Sequence, residues 1–322
     1  MVKVAYIFPG QGSQSVGMGQ DLAAASPAAA AVFAAADAAL GEPISRLAFE
    51  GPDDDLNRTE NAQPALLATS IAYLEALGER WAAGGMAAPT PAFMAGHSMG
   101  QYSAMVAAGV ISLADGVRLV RERGRRMQRS GEGRDGAMAA IIGLDDAALP
   151  ELIARASEAG TFGVANRNAP GQVVVSGERA AIEAGAEIAK ELGAKRAIVL
   201  PVSVAAHSPL MTDAAAGMRD VLADVTFSDP AVPLLANADA SILDTGEACR
   251  AELVAHLTAG VDWIRAVEAM VAAGVDTFME IGPGRVLTGL TRRIATESTV
   301  LALDEPGAPA RLAVPDLSAT AT

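Results

Sequence analysis

Phe93-Met94-Ala95-Gly96-His97-Ser98-Met99-Gly100-Gln101 is an apolar run that ends in Gly-x-Ser-x-Gly and leads directly into a helix-like segment. It reads as a nucleophile elbow, a strand turning sharply into a helix with Ser98 at the apex; the flanking glycines remove the Cβ atoms that would block the turn. Such a turn exposes the Ser98 hydroxyl beside a helix N-terminus, where it is suited to attack an acyl carbonyl. A glycine-flanked turn serine without chemistry is the competing reading, and the strand-then-helix context favours the nucleophile.

Outward from the elbow, strand-like and helix-like segments alternate, which argues for an α/β fold with a largely parallel sheet. Before it, residues 2–8 read as a strand, 17–40 as mostly helix and 62–83 as a long helix; after it, 100–109 and 115–129 read as helices. From Gly136 the rhythm changes to βαββαβ: strand 137–142, helix 145–158, strands 161–166 and 172–176, helix 179–192, strand 196–201. That order is that of a ferredoxin-like unit inserted into a larger domain, with the Gly131–Gly136 stretch as a flexible boundary. The larger domain then resumes with a helix from Ser208, a strand near 232–236, helices near 247–258 and 261–273, a strand at 276–281, and a last helix after Gly282-Pro283-Gly284. The expected division is therefore 1–131 and 202–304 for the large domain, 132–201 for the insertion, and 305–322, rich in Ala and Pro, as a loosely held tail.

Composition excludes several function classes. A net charge of -14 repels nucleic acid, and no basic stripe interleaved with aromatics offsets it. No run approaches the roughly 18 consecutive apolar residues of a membrane span. The opening Met1-Val2-Lys3-Val4-Ala5-Tyr6-Ile7-Phe8 is interrupted by Pro9-Gly10 and reads as a first strand, not a signal peptide. Cys249 is the single cysteine, so no internal disulfide forms and a cytoplasmic setting is the default. With three scattered histidines and no second cysteine, no metal site of ordinary ligand spacing is expected.

A serine nucleophile needs a base. The three lysines, Lys3, Lys190 and Lys195, do not follow the elbow as in serine–lysine enzymes, so the base is sought among the histidines. His97 adjoins Ser98 and leaves the strand end in a different direction, which suits packing under the elbow. Of His207 and His256, His207 precedes Ser208-Pro209, a helix N-cap and first-turn pair whose dipole disfavours the protonated imidazole. His207 is the expected general base.

On a helix over 115–129, Arg118, Arg121, Arg125 and Arg129 share one side, and this outward stripe is expected to be solvated or to receive an acidic partner. Arg123 points the other way, among Leu119, Val120 and Met127. A guanidinium on an apolar face must find an anion, either a protein carboxylate or a substrate carboxylate clamped by two parallel hydrogen bonds. Phe8-Pro9-Gly10-Gln11-Gly12-Ser13-Gln14 lacks the endings of a phosphate loop, but a loop at that strand end aims backbone N–H groups at the elbow. The Gln11 and Met99 amides together would make an oxyanion hole.

These motifs, with Arg123 in Arg-Gly-x-x-Met-Gln, His207 in Val-Ser-Val-x-x-His and Glu280-Ile281-Gly282-Pro283-Gly284, resemble the malonyl-CoA:acyl carrier protein transacylases from about residue 2 to about residue 305. The resemblance implies an α/β-hydrolase-like large domain with a ferredoxin-like insertion, a Ser98–His207 dyad, the Gln11 and Met99 oxyanion hole, and Arg123 on the malonyl carboxylate. It further implies that the backbone carbonyl of His256 orients the base, and that the protein transfers malonyl groups from malonyl-CoA to acyl carrier protein as a cytoplasmic monomer without bound cofactor. Three departures stand out: Gln101 where fatty-acid enzymes commonly have Glu, His256 where Gln is usual, and Val204-Ala205-Ala206-His207, which matches neither selectivity tetrapeptide of the polyketide acyltransferases. The rivals are a discrete polyketide acyltransferase and a serine thioesterase or esterase; the latter would want an acid behind the base and would have no need of Arg123.

Overall fold

The computed structural model describes residues 2–85, 87–131, 135–202 and 204–303. The expected boundary at 132–134 and the expected tail lie outside the described residues. In chain order the strands are β1 Val4–Phe8, β2 Phe93–Gly96, β3 Gly136–Ile142, β4 Phe162–Ala169, β5 Gln172–Glu178, β6 Arg196–Val199, β7 Leu234–Leu235, β8 Ile242–Leu243, β9 Val261–Asp262, β10 Thr277–Glu280 and β11 Thr299–Ala302.

They form two mixed sheets. In the six-stranded sheet the order is β11-β10-β1-β2-β7-β8, parallel throughout except for the closing β7–β8 pair. β1 is buried along its whole length, as expected of a parallel strand covered by helices on both faces. One face packs on the helices Pro27–Leu40, Thr59–Ala83, Gly100–Ala107 and Leu113–Gly131 through Tyr6, Phe8, Met94 and Met279. Ala5, Ile7, Ala95 and Phe278 on the other face meet the helices Trp263–Ala272 and Val286–Ile294. The alternation along each strand thus assigns its residues to two separate cores.

The second sheet has the order β6-β3-β5-β4-β9. Its first four strands are antiparallel, with the helices Leu149–Ala156 and Arg179–Glu191 packed on one face through Leu152, Ala156, Ile182 and Ala189. β9 joins its edge in parallel, pairing Asn166 with Val261 and Arg167 with Asp262. Residues 261–262, read from sequence as the start of a helix, are therefore a strand, and the helix begins at Trp263 with Asp262 capping its first turn. β8 and β11 leave no pattern in the sequence: one is two residues long, and the other is four residues at a sheet edge, too short for a period to show. The 17–40 segment breaks into helices Gln20–Ala25 and Pro27–Leu40, because Ser26 caps the second helix and Pro27 cannot continue the first.

At the elbow backbone packs directly on backbone. A Cβ on Gly96 would lie 2.0 Å from the Gly100 carbonyl carbon, and one on Gly100 would lie 2.2 Å from the Phe8 carbonyl oxygen. Gly100→Ala therefore drives backbone against backbone, and we expect a loss of about 3 kcal/mol or more, read as a lowered midpoint in urea unfolding.

Candidate functional site

Ser98 sits between β2 and the helix Gly100–Ala107 with φ 53°, the left-handed region that an L-residue occupies only under constraint. His207 has φ 57°, and the one other non-glycine residue with positive φ among the described residues is Ala240. Two strained residues thus face each other: Ser98 Oγ lies 2.8 Å from His207 Nε2. Ser208 accounts for the turn at His207, since its hydroxyl donates to the Ala205 carbonyl at 2.7 Å and accepts from the Leu210 N–H, capping the 3-10 turn Pro209–Met211.

On its far side, the His207 ring places Nδ1 2.6 Å from the His256 carbonyl and 3.1 Å from that of Ala259. Carbonyls only accept, so Nδ1 carries the proton and Nε2 presents its lone pair to Ser98. His207 is 6% exposed. Burial, followed by the Arg123 charge, lowers its pKa to about 4, with the two carbonyls acting in the opposite sense. Burial rather than a helix dipole is thus what keeps this imidazole neutral.

Arg123 is 1% exposed and has no carboxylate partner among the described residues. Its Nη1 donates to Gln63 Oε1 at 2.9 Å, its Nη2 donates to Ser98 Oγ at 3.1 Å, and its Nε has no partner. The guanidinium lies 5.9 Å from the centroid of the Tyr102 ring. Of the two anions considered from sequence, the protein carboxylate is not there. A buried cation served only by a neutral amide and a hydroxyl is costly unless an anion completes it.

The remaining sequence-derived residues divide as follows. Met99 is buried at the N-terminal end of the elbow helix, Gln11 lies in the exposed loop after β1, and neither backbone N–H is hydrogen-bonded among the described residues. His256 is fully buried, and neither ring nitrogen has a partner among the described residues. Burial foremost, and the charges of Arg123 and His207, hold it neutral, so it adds no titrating cation beside the base. Gln101 ties the elbow to its neighbour, accepting from the Gly96 N–H at 3.1 Å and donating to the Leu235 carbonyl at 2.9 Å. A carboxylate there could not donate. His97 sits as expected under the elbow, its Nε2 2.9 Å from Asn168 Oδ1 and its ring 5.8 Å from that of Trp263.

Two expectations need amendment. Arg121 is 5% exposed rather than solvated. It donates to the Glu60 carbonyl at 2.9 Å, to Asn61 Oδ1, and to Glu42 at 3.1 Å, while Arg125 shares Glu42 and Glu60. The chain at Thr59–Glu60 covers this side of the helix; a Cβ on Gly124 would meet the Glu60 Cα at 2.6 Å. Second, Gln63, Asn237 and Ala259 were overlooked. Asn237 ends the apolar run 232–236 with a single amide, a readable signal, whereas Gln63 follows the polar stretch Thr59-Glu60-Asn61 and Ala259 acts through its carbonyl, so neither stands out in sequence.

The chain matches the acyl transferase domain over residues 5–313. It is 47% identical over 308 residues to the malonyl CoA-acyl carrier protein transacylase of Escherichia coli (strain K12), covering 96% of this chain and 98% of that one. The chain belongs to this acyltransferase family. Among solved structures it is similar to the acyl-carrier-protein-S-malonyltransferase from Bartonella henselae, with a TM-score of 0.89, 43% identity, and coverage of 95% of this chain and 96% of that one. It is similar also to a malonyl-transacylase in complex with its type II PKS acyl-carrier protein, with a TM-score of 0.86, 42% identity, and coverage of 94% and 95%. Among the described residues no cluster of His, Cys, Asp or Glu is placed to hold a metal ion, and no helix is long and apolar enough to cross a membrane.

The position of His207 yields a pH test. A base must be neutral, and the folded-state value lies below the ordinary 6.5, so the reaction of Ser98 with a fluorophosphonate should hold level as pH falls through 6.5 and drop only near pH 4. Arg123→Gln removes a charge that opposes protonation and should move the drop upward in pH, whereas His256→Gln should leave it in place. A parent profile that already falls near pH 6.5 would contradict the assignment.

Proposed function

We propose that this chain transfers malonyl groups from malonyl-CoA to the phosphopantetheine thiol of acyl carrier protein, through an ester on Ser98. The observation that carries the reading is Arg123, a buried guanidinium with no acid partner among the described residues and one nitrogen 3.1 Å from the candidate nucleophile. A substrate carboxylate placed there completes the arginine in two parallel hydrogen bonds and sets the thioester carbonyl against Ser98. It also cancels the positive charge that opposes protonation of His207, so binding a dicarboxylic acyl group makes the base more willing to accept the Ser98 proton.

In the first half-reaction His207 Nε2 takes the hydroxyl proton as Ser98 Oγ bonds to the thioester carbon. The resulting oxyanion is received by the Gln11 and Met99 N–H groups. Collapse breaks the carbon–sulfur bond, and the proton on His207 passes to the departing CoA sulfur. In the second half the carrier thiol gives its proton to the same nitrogen and attacks the ester, and Ser98 recovers its proton on leaving. The His256 and Ala259 carbonyls hold the ring and disperse the charge it carries in between. No bound cofactor enters either half.

The same reading assigns the larger sheet to an α/β-hydrolase-like domain, 1–131 and 202–304, and residues 132–201 to a ferredoxin-like insertion, in a cytoplasmic monomer. The order β6-β3-β5-β4 with two helices on one face supports the insertion. A carrier protein of a polyketide pathway is a second reading, favoured by the likeness to a transacylase bound to a type II PKS acyl-carrier protein. A panel of carrier proteins and acyl-CoAs separates the two.

Brief mixing with malonyl-CoA alone should leave a malonyl adduct that intact-mass and peptide analysis map to Ser98, absent from Ser98→Ala. An adduct on Cys249 would sink the mechanism. Burial, followed by nearby acidic charges, pushes that thiol up to about 12, so none is expected there.

Arg123→Ala should lower kcat/KM for malonyl-CoA by about two orders of magnitude or more relative to acetyl-CoA, since acetyl leaves the arginine unpaired in the parent. An unchanged malonyl-to-acetyl ratio, with Ser98 still labelled by a fluorophosphonate, would make Arg123 a structural group.

A further inference from the structure

The β2–β7 backbone ladder pairs Met94 with Leu234 and goes no further toward Ser98. Side chains take over beyond that point. Asn237, 3% exposed, donates from Nδ2 to the Gly96 carbonyl at 3.0 Å and accepts the Ser98 N–H on Oδ1 at 2.8 Å. Its backbone is held in turn: its N–H donates to Glu252 Oε1 at 2.7 Å, and its carbonyl accepts the Asp262 N–H at 2.7 Å. Glu252 is buried in the last turn of the helix Gly246–Ala255, and its own carbonyl accepts the N–H of His256 at 2.9 Å. The His256 carbonyl then holds His207 Nδ1.

We infer that the C-terminal turn of the helix Gly246–Ala255 is the common mount of the dyad, with Glu252 and Asn237 as positioning residues that fix the nucleophile while the next turn fixes the base. One rigid turn, with a rise of about 6 Å over four residues, spaces the two supports. The arrangement also decides which amide serves the oxyanion. Because Asn237 occupies the Ser98 N–H, that group cannot turn toward substrate, and the Met99 N–H at the same bend is left free. Ser98 is held at positive φ by a neutral amide that both donates and accepts, a combination a carboxylate or an apolar side chain cannot supply. Asn237 touches no reacting atom. Its effect runs through backbone geometry, to which a reaction at close approach is steeply sensitive.

This inference rests on the reading of Ser98 as nucleophile, and the test separates the two: failure of that reading appears as a parent protein whose Ser98 is not labelled by a fluorophosphonate. Given a labelled parent, Asn237→Ala should cut both the labelling rate and kcat for malonyl transfer by about 10²-fold, with KM for malonyl-CoA within about two-fold of the parent. Glu252→Gln keeps an oxygen for the Asn237 N–H and should preserve kcat, whereas Glu252→Leu should lose it. Parent-like kcat in Asn237→Ala, or equal losses in the Gln and Leu variants of Glu252, would overturn the proposal. If Asn237→Ala does not fold, the Glu252 pair decides; unfolding of Asn237→Ala and Glu252→Leu alike would assign these side chains to stability and overturn it as well.

Discussion

Three pieces of backbone meet at the elbow with no room for a side chain among them. Gly96 closes β2, Gly100 opens the helix that follows, and the end of β1 passes close enough for the Phe8 carbonyl to fill the space a Cβ on Gly100 would need. That contact lets the chain turn sharply at Ser98, whose positive φ the Asn237 amide then holds. It also brings the loop after β1, with Gln11, to the mouth of the turn. The parallel pairing of β1 with β2 and β10 supplies the rigid floor against which the strain is held.

On that floor the site is organised around one uncompensated charge. Arg123 comes from the middle of the helix Leu113–Gly131, where Arg118, Arg121, Arg125 and Arg126 are matched with Asp115, Glu42, Glu60 and Glu122. Arg123 differs from these four in being buried with no acid among the described residues within reach. The charge lowers the basicity of both His207 and His256, and among the described residues only the first is hydrogen-bonded to the Ser98 hydroxyl. His256 contributes its carbonyl, and its ring is left without partners beside the ring of Tyr102, whose hydroxyl is likewise buried and unpartnered. A carbonyl can be supplied by any residue type, which is why His can stand at that position without disturbing the His207 ring. At the other motif, Glu280 caps the last helix by accepting the Leu287 and Thr288 N–H groups at 3.0 and 2.7 Å, so that signature is one of scaffold, not of chemistry.

Where the reading from sequence went astray, the cause was long-range cover. The stripe formed by Arg118, Arg121, Arg125 and Arg129 follows correctly from a period of 3.6 residues, but periodicity says which residues share a face and not what lies over it. The helix Thr59–Ala83, with Glu60 and Asn61 at its start, lies there and takes Arg121 out of solvent. The same limit applies to β9, whose two residues become a strand only because the edge of β4 is open beside them.

Residues close in sequence were enough to determine the elbow, the inward direction of Arg123, the Ser208 cap beside His207 and the alternation that makes the fold α/β. Turn sterics, helical period and capping all act within a few residues, so each leaves a local pattern. Tertiary structure decided the rest: that His207 meets Ser98 across 109 positions, that two carbonyls select its tautomer, that no acid among the described residues answers Arg123, and that Asn237 pins the serine amide. Those contacts depend on backbone groups identical in every residue, or on partners brought together only when the sheet closes, and neither leaves a pattern in the order of side chains.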